Sequence, residues 1–279
     1  TLVGNLNATV GGVPQNVLDG GFEIAKVGGQ NFALASLKIN SGGGAPGQGA
    51  RIIIRGIKSL NPTKDNQPLF VIDGILITGC VNVKAPDVTI KRSLLKGCLS
   101  FFNIRVFPSA ANFLIEDTEV DGTGATNNAA FVDDGTGPVT MRRVDMHHVA
   151  DGPHPGENWL IVDSYIHDLT QCPVCHNDTI QSAGAKNVTV RHNTLVNLAG
   201  TAGPDGGMNA VVRIATEQGP VAGFVVQDNL LAGGNFLVQV RSQGNGAPTG
   251  VLVSKNRGVR GRTPDGQPYP RYGPWDYED

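Results

Sequence analysis

Between residues 87 and 256 the chain repeats one pattern of apolar and polar positions. A small turn residue leads into an apolar triplet, then two mostly polar residues, then a small polar one. DVTIKRS (87–93), NFLIEDT (112–118), PVTMRRV (138–144), NWLIVDS (158–164), NVTVRHN (187–193), GFVVQDN (223–229) and GVLVSKN (250–256) follow it. The third apolar position of each is Ile90, Ile115, Met141, Ile161, Val190, Val226 and Val253, at spacings of 25, 26, 20, 29, 36 and 27 residues. A period in the twenties, with insertions, is that of a stacked solenoid coil. Three residues later runs a second column: Ser93, Thr118, Val144, Ser164, Asn193, Asn229 and Asn256. All but Val144 can hydrogen-bond through the side chain, and stacked turns use such ladders to satisfy backbone groups that strands leave open.

Second strands are expected between these segments, at AAFVDD (129–134), NDTIQS (177–182), NAVVRIA (209–215) and NFLVQVRS (235–242). Alternation along a strand puts every other side chain outside. With Val132, Ile180, Val212 and Val238 inward, Asp133, Gln181, Arg213 and Gln239 form an outward polar row. Such a row is where a solenoid holds an extended polymer. Helix signals are scarce, and the best short-helix pattern is NFALASLK (31–38).

The repeats resemble the right-handed parallel β-helix of pectate lyases, polygalacturonases and related polysaccharide-active proteins. The resemblance covers about residues 71–258, and APDVTIKRSLL (85–95) and AKNVTVRHNTLVN (185–197) carry it best. The expected fold is all-β: a single right-handed parallel β-helix over 71–258, preceded by an N-terminal cap region (1–70). A C-terminal tail (259–279) holds Tyr269, Tyr272, Trp275 and Tyr277. The tail would cover the last coil or offer an aromatic wall to sugar rings. The competing fold is a β-sandwich, which would show alternating strands without a turn column.

A second, shorter resemblance lies at 47–75, GQGARIIIRGIKSLNPTKDNQPLFVIDGI. It is similar to the plug segment of TonB-dependent outer-membrane importers through Arg55-Gly56, Ser59-Leu60 and residues 68–74. The chain is far too short for the importers' barrel. The patch therefore points to a chimeric or generated sequence, or to residues 71–74 belonging to the first coil.

Composition narrows the function. Glycine and proline number 38 and 17 of 279 residues, without a collagen triplet. The 22 basic and 24 acidic residues leave a net charge of −2, with no basic excess for nucleic acid. No apolar run is long enough for a membrane-spanning helix. No signal-peptide pattern stands at Thr1, which reads as a mature or trimmed start. A monomer acting on a polysaccharide is the expectation.

All six histidines, His147, His148, His154, His167, His176 and His192, fall between 147 and 192. Acidic residues gather in and just before the same stretch, and concentrated titratable groups are what a catalytic or metal site requires. The catalytic candidates are His176, Asp178, His154, Arg213 and Asp151. The substrate-binding candidates are Asp133, Gln181, Arg191, Gln239 and Arg241. The resemblance implies two reactions. In β-elimination a histidine is the base and an arginine or Ca²⁺ neutralises a uronate carboxylate. In hydrolysis two aspartates act as a pair. The first is preferred, because His and Arg sit together; a non-catalytic carbohydrate-binding solenoid is the third class.

Calcium would suit Asp133, Asp134, Asp151 and Asp178. Cys172-x-x-Cys175-His176 matches both a haem-attachment pattern and part of a zinc set completed by His167. Haem is disfavoured, because a β-helix core is packed solid, and zinc ranks below a disulfide or thiol pair shaping the approach to His176. Cys80 and Cys98 are expected to bond across successive coils. An even four cysteines agree with an oxidising compartment, and hence a secreted or periplasmic protein.

Overall fold

The computed structural model describes residues 37–40, 51–54, 70 and 278 as strand, and 71–124, 129–171, 176–199 and 207–277 in full. Two strands come first, β1 (Leu37–Asn40) and β2 (Arg51–Ile54). Eight coils follow. In order they are β3 (Phe70–Asp73), β4 (Leu76–Thr78), β5 (Val81–Val83); β6 (Val88–Lys91), β7 (Leu94–Lys96), β8 (Phe102–Val106); and β9 (Phe113–Glu116), β10 (Glu119–Asp121), β11 (Ala129–Asp133). Then come β12 (Val139–Arg142), β13 (Asp145–His147), β14 (Asp151–His154); β15 (Trp159–Val162), β16 (Tyr165–His167), β17 (Ile180–Ser182); and β18 (Lys186–Arg191), β19 (Thr194–Asn197), β20 (Ala210–Ala215). The last two coils are β21 (Ala222–Gln227), β22 (Leu230–Gly233), β23 (Phe236–Arg241), and β24 (Leu252–Ser254), β25 (Arg257–Val259). A hairpin of β26 (Gly261–Arg262) and β27 (Pro268–Tyr269) leads to β28 (Gly273–Glu278).

The coils stack as a single right-handed parallel β-helix. Sheet I collects the first strand of every coil, β3 to β24, and sheet II the second, β4 to β25; each has eight strands. Sheet III is in two parts, β1-β2-β5-β8-β11-β14 and β17-β20-β23-β28. The seven repeated segments all lie in sheet I. Their inward column, with Ile72 of β3 added at its start, is in register throughout: Ile72, Ile90, Ile115, Met141, Ile161, Val190, Val226 and Val253 are partners in turn. Residues of like size recur at one height of the coil, so each layer buries its apolar face against the next. Phe113, Phe131 and Trp159 add edge-to-face ring contacts across the core, at 5.7 and 4.6 Å between centroids.

The polar column forms the expected ladder. Ser93 N donates to Thr118 Oγ1, Val144 N to Ser164 Oγ and Ser164 N to Asn193 Oδ1. Asn193 N donates to Asn229 Oδ1, and Asn229 N to Asn256 Oδ1. Val144 breaks the ladder, having no side-chain acceptor. The residue before each rung takes a left-handed backbone: Arg92, Asp117, Arg143, Asp163, His192, Asp228 and Lys255 all have φ between 47° and 55° or, at His192, 59°. That column alternates in charge from coil to coil. Arg143 pairs with Asp117 and His192 with Asp163, while Arg92 reaches Asp73.

Two expectations change, and part of the importer-like patch joins the first coil as one reading allowed. Leu37 and Lys38, the described end of the predicted helix, are in strand β1; the rest of 31–38 lies outside the described residues. In β11 it is Phe131, fully buried, that points inward, and Val132 outward. The larger ring takes the core position beside Phe113 and Trp159, which shifts the strand's phase by one. Within the importer-like patch, residues 70–73 form β3, the first strand of sheet I, and 51–54 form β2, which pairs with β5; residues 55–69 lie outside the described ones. The Cys80–Cys98 disulfide is formed, joining the first two coils. Cys172 and Cys175 lie outside the described residues. The tail supplies β28, which extends sheet III beside β23 and leaves Trp275 and Tyr277 exposed.

Candidate functional site

The outer face of sheet III carries a register-matched row. Asn82, Arg105, Val132 and His154 are successive partners, and Gln181, Arg213, Gln239 and Asp276 continue it. Gln181, Arg213 and Gln239 are thus aligned as the alternation implied. Asp133 is not in the row, because its strand is one residue out of the expected phase.

Between His154 and Gln181 the regular strand pairing stops, and side chains take over. Asp178 N donates to Asp151 Oδ1 at 2.9 Å, and Gly152 N to Asp178 O at 3.0 Å. The Asp178 carboxylate in turn accepts Ala210 N at 2.7 Å and Asn209 Nδ2 at 3.0 Å. Asp178 is buried, so it pins three successive coils rather than facing a groove. Burial drives its pKa well above the usual carboxylate range, and the neighbouring Asp151 charge adds to the rise. Gly152 permits the close approach: a Cβ there would lie 1.9 Å from Thr179 O.

The remaining candidates divide by place. Asp151 and His154 lie on the same strand, with His154 Nε2 3.7 Å from Asp151 Oδ2. That nitrogen is buried and makes no hydrogen bond. His176 is exposed, just ahead of the Asn177–Met208 bridge. Arg213 is largely buried and held by both oxygens of Glu217 and by Gln243 Oε1. Gln239 and Arg241 both donate to Asp276 Oδ2. Arg191 is off this face: it ends β18 in sheet I, beside Val162 and Gln227.

Asp133 closes a turn, accepting Gly135 N, and its other oxygen accepts Trp159 Nε1. Burial pushes its pKa up to about 6, and the two hydrogen bonds oppose that rise. Asp134 pairs with Arg105. Among the described residues, Asp133, Asp134, Asp151 and Asp178 do not converge as a cation's ligand set.

Sequence reasoning passed over one cluster. Lys84 Nζ sits 4.4 Å from the Phe107 ring centroid, and the Arg105 guanidinium 4.8 Å from the same ring and 5.2 Å from Phe102. Phe101 and Leu99 are exposed nearby in sequence. The signal was FFNIRVF (101–107), which holds β8, the third strand of coil two. No family model and no curated protein matches this chain.

Proposed function

We propose that the outer face of sheet III binds an extended, uronate-containing polysaccharide and that the chain cleaves it by β-elimination. The observation that carries this reading is the row Arg105–Val132–His154. It sets a cation, an apolar floor and an imidazole on adjacent coils, each step about 4.8 Å. Phe102, Phe107 and Lys84 widen the cationic end into an aromatic and basic platform, suited to a sugar ring bearing a carboxylate. Arg105 and its partner Asp134 are both partly exposed, so a substrate carboxylate can displace a pair worth about 0–1 kcal/mol. Arg213, locked to Glu217 and Gln243, is not assigned to the substrate carboxylate.

In the reaction, Arg105 or Lys84 neutralises the uronate carboxylate and lowers the cost of the enolate-like intermediate. His154 removes the proton α to that carboxylate, the C–O bond β to it breaks, and the leaving oxygen takes up a proton. Asp151, with Oδ2 3.7 Å from Nε2, stabilises the imidazolium that forms when the ring takes the proton. A second reading, hydrolysis, is favoured by Asp133, whose raised pKa suits a general acid. The test is turnover by His154→Ala, Arg105→Ala and Asp133→Asn. Loss of about 100-fold or more in the first two, with Asp133→Asn active, supports elimination; the reverse pattern supports hydrolysis. Unchanged turnover in all three removes the face from catalysis.

A further inference from the structure

A second cluster of titratable groups lies on a different sheet and is not used by the glycan reading. Six residues after each inward position of sheet I comes an outward column of sheet II: Lys96, Asp121, His147 and His167 are partners in turn. His148 follows His147 directly, with a left-handed backbone (φ 54°) that turns its ring back onto its neighbour. The two Nδ1 atoms face each other at 2.6 Å. Asp121 Oδ1 lies 3.4 Å from the His148 Nδ1 and 3.7 Å from that of His147.

The surroundings point to a ligand. Glu119 Oε1 is 3.2 Å from His147 Nε2, an acceptor that favours a proton on Nε2 and a lone pair on Nδ1, facing His148. A carboxylate behind the distal nitrogen is the usual support of a metal-bound histidine. Thr123 N and Oγ1 both donate to Asp121 Oδ1 and fix its carboxylate. His167, by contrast, has both ring nitrogens engaged, with Asp145 and Asp168. It stands beside the cluster without joining it.

We infer that Asp121, His147 and His148 form a binding site for a divalent transition-metal ion of the zinc type. Two imidazole nitrogens and one carboxylate suit Zn²⁺ and leave a fourth position open, whereas Ca²⁺ takes oxygen ligands. Binding the ion replaces the contact between the two Nδ1 atoms and moves the rings apart, since each Zn–N bond is about 2.0–2.1 Å. The site is half exposed through His148, so the ion can enter without unfolding.

The test uses the full chain, stripped with chelator and titrated with Zn²⁺ by calorimetry, with Co²⁺ absorption as a second readout. One saturable equivalent is expected, with a Co²⁺ spectrum of low-symmetry four-coordination. His148→Asn, which keeps the left-handed backbone, and Asp121→Asn should each weaken binding by at least about 10-fold, and Glu119→Gln by about 10-fold. His192→Asn, at the exposed His192–Asp163 pair, should leave it unchanged. Folding of each variant is checked by circular dichroism. Absence of saturable binding up to millimolar Zn²⁺, or binding that survives both His148→Asn and Asp121→Asn, overturns the assignment.

Discussion

Replacing Asn193 by Ala tests the ladder that holds the coils in register. Asn193 is buried. Its Oδ1 accepts Ser164 N at 2.9 Å, and its Nδ2 donates to Ile161 O, Arg191 O and Asn229 Oδ1, each at 3.0 Å. Truncation leaves the Ser164 N–H without an acceptor, costing about 1–3 kcal/mol. The three acceptors keep other lone pairs, so each loses only about 0.5–1 kcal/mol. The sum is roughly 2.5–6 kcal/mol. Asn193→Ser gives a graded comparison. At Ser93 and Ser164 the hydroxyl accepts the preceding coil's N–H and donates two residues back. Serine at 193 can do the same, so about half the loss is expected. Urea unfolding, read as a midpoint shift at constant slope, measures both. A loss below about 1 kcal/mol for Asn193→Ala, or equal losses for the two variants, refutes the ladder argument.

Gly152→Ala should destabilise by about 2–3 kcal/mol, because its methyl group meets Thr179 O where two coils close together; thermal unfolding checks this. Reducing Cys80–Cys98, or replacing both by Ser, should cost about 3 kcal/mol, the value expected for a loop closed over 18 residues. Asp133 has a raised folded pKa of about 6. Its contribution is therefore fully present below about pH 4 and is lost as pH rises through 6, by at most about 3 kcal/mol. Asp133→Asn should flatten stability against pH in that window, and an unaltered slope in urea midpoints would contradict the assignment.

The stacking of sheet I was legible because a parallel solenoid repeats each side-chain environment once per coil. Ile90 to Val253 and Ser93 to Asn256 are columns in the sequence as they are in space. Sheet III was less legible. AAFVDD offers two adjacent apolar residues, Phe131 and Val132, and only the core contacts of the phenyl ring decide which turns inward. Loop insertions also hide the close contact of Asp151 with Asp178, which depends on Gly152. Among the histidines, composition alone did not separate His147 and His148 from the rest. The column six residues after each inward position would have done so, since it aligns Asp121 with His147.

Product mass from a uronate polysaccharide tests the central claim most directly. The protein is incubated with polysaccharides of acidic and neutral composition, and with its His154→Ala variant in parallel. Unsaturated oligosaccharides, lighter than hydrolytic products by one water, are expected from the acidic substrates alone and should disappear with His154→Ala. Saturated products, or an unsaturated series that His154→Ala leaves intact, would contradict elimination on the outer face of sheet III.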